Sequence, residues 1–377
     1  MAQQTDAQLA SELAALYVLA EQQLLAGGAA ALRRSTGDQF VTIATIRALA
    51  RRIVTQLGAR TDPLIQAMVQ AAVTAGRDTA SAQVTKLLGQ VRLGGGAGGH
   101  IPPSTALDLP GEPFNLSLPH SVRSAEAIFR DLSSELQDVR HRITRLPDDI
   151  YKAIAPHGAI YQVHDNPFTP AQAQAAAWRV FSSQGVRGFT DKSGRNWSLS
   201  AYTEMAVRTA AMRAYNDSHM QVMRAVGINL FTVSDDGHPC PLCAVWQNRV
   251  VCDRPDGVHP TTDDAIAAGL MHPNCRHTWL PVLPETRLPA PKLWTPEDQA
   301  AYDLTQKQRR LELEIRKAKR AVEYALTPEA KADALTDVRA GQARMRAFIN
   351  DSGLLRRSRR EQLDLTDARI KMPTPIR

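Results

Sequence analysis

Apolar side chains recur every three or four residues along most of this chain, the spacing that lines one face of an α-helix. Leu9, Leu13, Leu16, Tyr17, Ala20 and Leu24 make the first stripe, and Gly27-Gly28 predicts its end. In a second stripe, Ile43, Ile46, Leu49, Ile53 and Leu57 line up, with Arg51 and Arg52 on the other side and Gly58 as a stop. A third helix is predicted from about Pro63 to Leu88. Another, over 121–146, follows from Ala125, Ile128, Phe129, Leu132, Leu136, Val139 and Ile143. Thr169-Pro170 places an N-cap before the residue best tolerated at a first helical position, which predicts a helix over Pro170–Ser183. Ser198 or Ser200 caps a long helix to about Val226, with Gly227 as its stop. Along it Glu204 and Arg208 stand one turn apart as an ion pair.

Two further helices begin at Thr295-Pro296 and Thr327-Pro328. The first carries Ala301, Leu304, Gln308, Leu311, Ile315, Ala318, Val322 and Ala325 at coiled-coil spacing. The second turns Ala332, Leu335, Val338, Gln342, Met345 and Ile349 inward and stops at Gly353, so the pair is predicted to form an antiparallel hairpin. The periodicity fails at 93–118, a Gly/Pro-rich linker, and in the proline-rich spacer 281–296. No Lys follows the linker glycines, which excludes a phosphate-binding loop.

The pattern changes character between Asn229 and Leu283. Short runs rich in strand formers, 229–234, 249–252 and 278–283, predict three strands, and Thr261-Thr262 to Gly269 predicts one short helix. All four cysteines lie in this stretch. Cys240 and Cys243 form a C-x2-C pair, and His272, Cys275 and His277 follow as H-P-N-C-R-H. Two donors two residues apart fit one tight turn, and two such turns supply the four soft or borderline donors of tetrahedral zinc. Cys240, Cys243 and Cys275 are the expected thiolate ligands, with His272 or His277 as the fourth. Four protein ligands leave no open position, so the expected zinc is structural. Cys252 stands apart. The expected fold is mainly α with a small α+β zinc-knuckle domain. Its parts are an N-terminal helical bundle (1–92), a linker (93–118), a helical segment (119–184), the zinc-binding domain (185–290) and a basic C-terminal hairpin and tail (291–377).

Charge sharpens the picture. The chain has 377 residues, a formal net charge of +7 and only 5% aromatic residues. Residues 301–360 hold fifteen Lys or Arg against eight Asp or Glu, so this segment alone carries the excess of the whole chain. Arg309, Arg310, Arg316, Lys317, Lys319 and Arg320 are the candidate contacts to a polyanion or an acidic partner. No apolar run approaches membrane-spanning length, and Met1–Ala10 lacks the basic start of a secretory signal. A soluble cytoplasmic protein with reduced cysteines is expected.

Three blocks carry a family resemblance: 188–216, the cysteine stretch CPLCAVWQNRVV with GLMHPNCRH, and the basic helix from Tyr302. Together they resemble the Mu F-like head morphogenesis proteins and the related phage minor capsid protein 2 family, over about residues 185–360. Many members of that family carry a glycine near Asn248, and this chain does not. The resemblance implies a structural minor capsid protein of a tailed bacteriophage, inside the virion head after assembly in the host cytoplasm. The implied partners are portal and capsid or scaffold proteins and packaged double-stranded DNA. Enzymatic alternatives find less support. The zinc deaminases pair P-C-x2-C with an upstream H-x-E, and His100, His120, His141, His157, His164 and His219 all lack it. A metal-dependent nuclease would need carboxylates and histidines at a recognisable spacing, and none is present. The expected role is not enzymatic.

Overall fold

The structure is a computed structural model that describes residues 5–34, 39–93, 119–160, 169–190, 194, 196–235, 240–283 and 286–363. The expected linker falls almost wholly outside the described residues. Helices α1 (Asp6–Arg34), α2 (Gln39–Leu93), α3 (Pro119–Ile160), α4 (Pro170–Ser183) and α5 (Leu199–Ala225) share one apolar core. The expected stripes supply it: Leu13, Tyr17 and Leu24 of α1, Ile46, Ile53 and Leu57 of α2, and Ile128, Leu136 and Ile143 of α3 are all buried.

Three expected breaks are overridden. Helix α1 runs through Gly27-Gly28, because both glycines admit a close neighbour. A Cβ at Gly27 would overlap Leu49 of α2, and one at Gly28 would lie 2.8 Å from the ring of Trp178 of α4. Each glycine costs about 1 kcal/mol in helix propensity, which the packing outweighs. Helix α2 is continuous where two helices were expected, with Pro63 inside it. Ile53 and Leu57 before the proline and Ile65 and Met68 after it enter the same core, so one lost backbone hydrogen bond does not divide the helix. Helix α3 likewise passes Pro147 and extends beyond the expected end, burying Ile150. The expected caps agree in detail. Thr169 and Thr295 form capping boxes, Ser198 and Thr327 cap α5 and α9 (Pro328–Ser352), and Gly353 ends α9 with φ 66°.

A two-stranded ribbon, β1 (Phe189–Thr190) with β2 (Asn196–Trp197), leads into α5. Beyond α5, strands β3 (Leu230–Val233), β4 (Val251–Cys252) and β5 (Trp279–Pro281) form an antiparallel sheet in the order β4-β3-β5. The three expected strands are therefore present, and α7 (Thr262–Ala267) is the expected short helix. The sheet has its own core, in which Phe231, Val233, Trp246 and Trp279 meet Met220 and Met223 of α5 and Val84 of α2. This small mixed unit is thus seated on the ends of two long helices.

Helices α8 (Pro296–Glu323) and α9 form the expected hairpin around Ile315, Met345 and Phe348. The seam is shorter than its sequence pattern. Gln308 and Ile315 are buried, but Ala301 and Leu304 are exposed. On α9 the inward residues are Ala334, Gly341, Met345 and Phe348, while Ala332 and Leu335 are exposed. The end of α8 has a second obligation: Ala321 and Tyr324 are buried, Tyr324 in the main core, and the Tyr324 carbonyl accepts a 2.7 Å hydrogen bond from Trp178 Nε1 of α4. Serving α4 and α9 at once rotates the buried stripe along α8.

The hairpin is also fastened by Glu21 of α1, which is fully buried. Its carboxylate accepts from Val186 N at 2.8 Å and from Ser200 Oγ at 2.6 Å, and faces Arg320 Nη1 of α8 at 3.9 Å. Burial pushes its pKa up, opposed by Arg320 and by the Ser200 hydrogen bond. Glu21→Ala strips two buried donors of their acceptor and Arg320 of its counter-charge, and a loss of about 3 kcal/mol or more is expected. Glu21→Gln keeps an acceptor oxygen for Val186 and sets an amide N–H that the Ser200 hydroxyl can accept, and should cost less. Urea unfolding of both variants checks the order; equal stabilities would show that the carboxylate is not a tie.

Candidate metal centre

Each pair of expected ligands sits on a turn whose sequence explains its shape. Cys240 is the N-cap of α6 (Pro241–Ala244), with Pro241 at the first helical position. Its carbonyl accepts from Cys243 N at 3.1 Å, so Cys240 and Cys243 occupy one helical turn. In the second turn His272 O accepts from Cys275 N at 2.9 Å. Pro273 and Asn274 are its central residues, and Asn274 has φ 69°, as a type II turn requires after proline.

The two turns face each other in register. Cys240 Sγ lies 3.0 Å from His272 Nε2, and Cys243 Sγ lies 3.8 Å from Cys275 Sγ. His277 closes on the same cluster, with Nδ1 3.1 Å from Cys275 Sγ. The donor atoms fall into two triads, Cys240–Cys243–His272 and Cys243–Cys275–His277, which share Cys243. The residues expected from the sequence are thus brought together.

The donor set fits zinc. Tetrahedral zinc with bonds of about 2.3 Å to sulfur places two thiolates about 3.8 Å apart, the separation of Cys243 and Cys275 and far beyond a disulfide bond. His272 Nδ1 is engaged with Pro273 O at 2.8 Å, which leaves Nε2 to act as the ligand. Without an ion the same atoms form a hydrogen-bonded chain. Contact with Cys243 and His272 lowers the pKa of Cys240, and contact with Cys243 and His277 lowers that of Cys275. Cys243, set between these two sulfurs, is pushed up, and His272 is raised to about 9 by its contact with Cys240. Cys252 is buried in β4 and directs its thiol to the carbonyls of His259 and Pro260, apart from both triads.

Helix α5 holds the second turn. Arg208 Nη1 donates to Asn274 Oδ1 at 2.7 Å, while its Nη2 pairs with Glu204. The Glu204–Arg208 pair is therefore not merely a solvated contact, since Arg208 also props the ligand turn. Thr209 Oγ1 accepts from Asn274 N at 3.2 Å. Asn216, buried, donates to His277 O at 3.1 Å and accepts from Trp279 N at 3.4 Å. Sequence reasoning did not single out Thr209, Asn216 or Asn274. Only Asn274, after proline inside a ligand pair, carried a local signal. Asn248 has φ 61°, a left-handed backbone that asparagine tolerates.

The six candidate basic residues divide. Arg309 and Arg310 are exposed. Arg320 faces Glu21 and Arg316 donates to the carbonyl of Arg360. Lys319 Nζ reaches Gln362 Oε1 at 2.7 Å, and Lys317 is half-buried.

Comparison with known proteins adds two likenesses. The sequence profile described as phage minor capsid protein 2 matches residues 7–350. A "Structural protein" of Lactococcus phage LL-H is 27% identical over 180 residues, covering 44% of this chain and 48% of that protein, so the chain spans about half the length of this relative. No solved structure matches.

The left-handed positions can be tested directly. Asn248→Gly should leave stability within about 0.5 kcal/mol, whereas Asn248→Ala should cost about 1–2 kcal/mol. Thermal melting of the two variants reads the difference, and equal melting would show that the turn does not depend on this conformation.

Proposed function

The chain belongs to the phage minor capsid protein 2 family and is a structural protein of the virion, and from that premise we propose that its knuckle is built around one structural zinc ion. The ligands in this reading are Cys240, Cys243, His272 and Cys275. The observation that carries it is the facing of the two turns, Cys240 opposite His272 and Cys243 opposite Cys275. His277 would then lie outside the ligand set, its Nδ1 directed at the Cys275 sulfur. Zinc here would join the segment after α5 to the segment before β5 and displace the Cys243 proton. Four protein ligands leave no site for water, which supports an architectural role over catalysis.

As a minor capsid protein the chain works among the other proteins of the phage head. We further read the portal or scaffold as its docking partner and packaged DNA as the polyanion met by the hairpin. Support comes from the concentration of positive charge in residues 301–360, where Arg309 and Arg310 face outward. Among the described residues no helix is long and apolar enough to cross a membrane.

Purified protein is expected to hold about one zinc per chain, and chelation should unfold the β3–β5 unit while α8 and α9 persist. Cys240→Ser, Cys275→Ser and His272→Ala should each lose the metal. His277→Ala should retain it, and Cys252→Ser should bind zinc normally. Metal analysis combined with circular dichroism decides this. Metal-free protein with unchanged melting, or zinc lost through His277 and kept without His272, overturns the assignment.

A further inference from the structure

The chain after α9 folds back along α8. Gln308 Nε2 of α8 donates to Leu355 O at 2.9 Å, and Arg356 grips the buried Glu361 with two hydrogen bonds of 2.7 and 2.6 Å. A short 3₁₀ turn over Ser358–Glu361 completes the fold-back, with Arg360 N donating to Arg357 O at 2.8 Å. This return brings basic residues of two segments together. Arg309 and Arg316 lie one turn to either side of Glu312 on α8. Arg360 Nη1 approaches Glu312 Oε2 to 3.9 Å, and Arg316 reaches the Arg360 carbonyl.

Glu312 is 3% exposed, yet its Oε1 has no hydrogen-bond partner among the described residues. The charges of Arg360, Arg316, Arg357 and Arg309 all act on it, in that order of strength. Four guanidiniums around one carboxylate leave three positive charges uncompensated; the nearby Glu204 is committed to Arg208. Burial, and then repulsion from neighbouring arginines, push Arg316 and Arg360 below the ordinary arginine value, against the pull of Glu312 and Glu204. Arg309 and Arg357 are exposed at its outer edge.

We propose that Glu312 assembles Arg309, Arg316, Arg357 and Arg360 into a preformed site for the phosphates of duplex DNA. The proposal rests on the reading that the hairpin meets DNA, and it names the residues that do so. Guanidiniums match phosphate oxygens with paired hydrogen bonds. From Arg309 to Arg316 the helix advances about 10 Å, along which a duplex presents a charge every ~1.7 Å of its axis. A row of this length, with Arg310 inside it, suits a nucleic-acid backbone better than a single small anion. In this site the buried acid favours binding of a polyanion, because it holds in place four cations that otherwise repel one another.

That sign separates the proposal from simple charge attraction. Binding of the full chain to a labelled random-sequence DNA duplex is followed by fluorescence anisotropy over a range of salt. Arg309→Gln with Arg357→Gln should reduce the slope of log K against log salt by about 2. Arg339→Gln with Arg346→Gln, which removes the same charge from the exposed face of α9, should leave the slope unchanged. Glu312→Gln should weaken binding several-fold, although it makes the chain more positive. Tighter binding by Glu312→Gln, or equal effects of the two double variants, overturns the cluster while leaving DNA contact intact. Failure of the unaltered protein to bind duplex at low salt overturns both. Should Glu312→Gln not fold, the two surface double variants decide the matter alone.

Discussion

One buried carboxylate holds together parts of this molecule that lie far apart in the chain. Glu21 sits in the middle of α1, its acceptors filled by the backbone before β1 and by the first turn of α5, and its charge faced by Arg320 of α8. A charge taken from water is costly unless its hydrogen bonds and counter-charge are supplied. The N-terminal helix, the entry to α5 and the C-terminal hairpin must therefore come together for Glu21 to be satisfied. Trp178 acts beside it, filling the space left by Gly28 and bonding to the carbonyl of Tyr324. A polar tie and an apolar plug thus fix the elbow of the hairpin to the helical body.

Helix α5 links that body to the knuckle. Its buried early residues belong to the main core, and its last turns carry Met220 and Met223 into the core of the sheet. Between them Arg208, Thr209 and Asn216 engage the loop that bears His272, Cys275 and His277. The ligand turn is therefore positioned by a rigid helix as well as by any ion it holds. This division suits a structural site, since a metal binds best where its ligands are already gathered.

The basic hairpin shows why net charge is a coarse guide. Its positive residues serve three ends: Arg320 and Arg356 neutralise buried acids, Arg316 and Lys319 fasten the returning chain, and Arg309 and Arg310 face outward. The last group is open to a partner from the outset. The same composition with other pairings would leave a different surface.

The sequence by itself determined the features governed by near neighbours. Helix starts at Thr169, Ser198, Thr295 and Thr327 were legible because a capping oxygen bonds to a backbone N–H only three residues away. The three short strands and the gathering of the Cys and His side chains into one cluster were legible because alternation, turn residues and residue spacing are local as well. Tertiary structure alone decided the rest. Gly27-Gly28 and Gly58 read as stops and Pro63 as a fresh start, yet the helices continue, since Leu49 and Trp178 press on the first glycines and the core claims both sides of the proline. Nothing local marks Glu21 for burial, and it is buried because its partners lie at 186, 200 and 320. Which arginines turn inward was likewise settled by acids and carbonyls distant in the chain. Burial and charge pairing depend on contacts across the whole fold, and no local pattern encodes them.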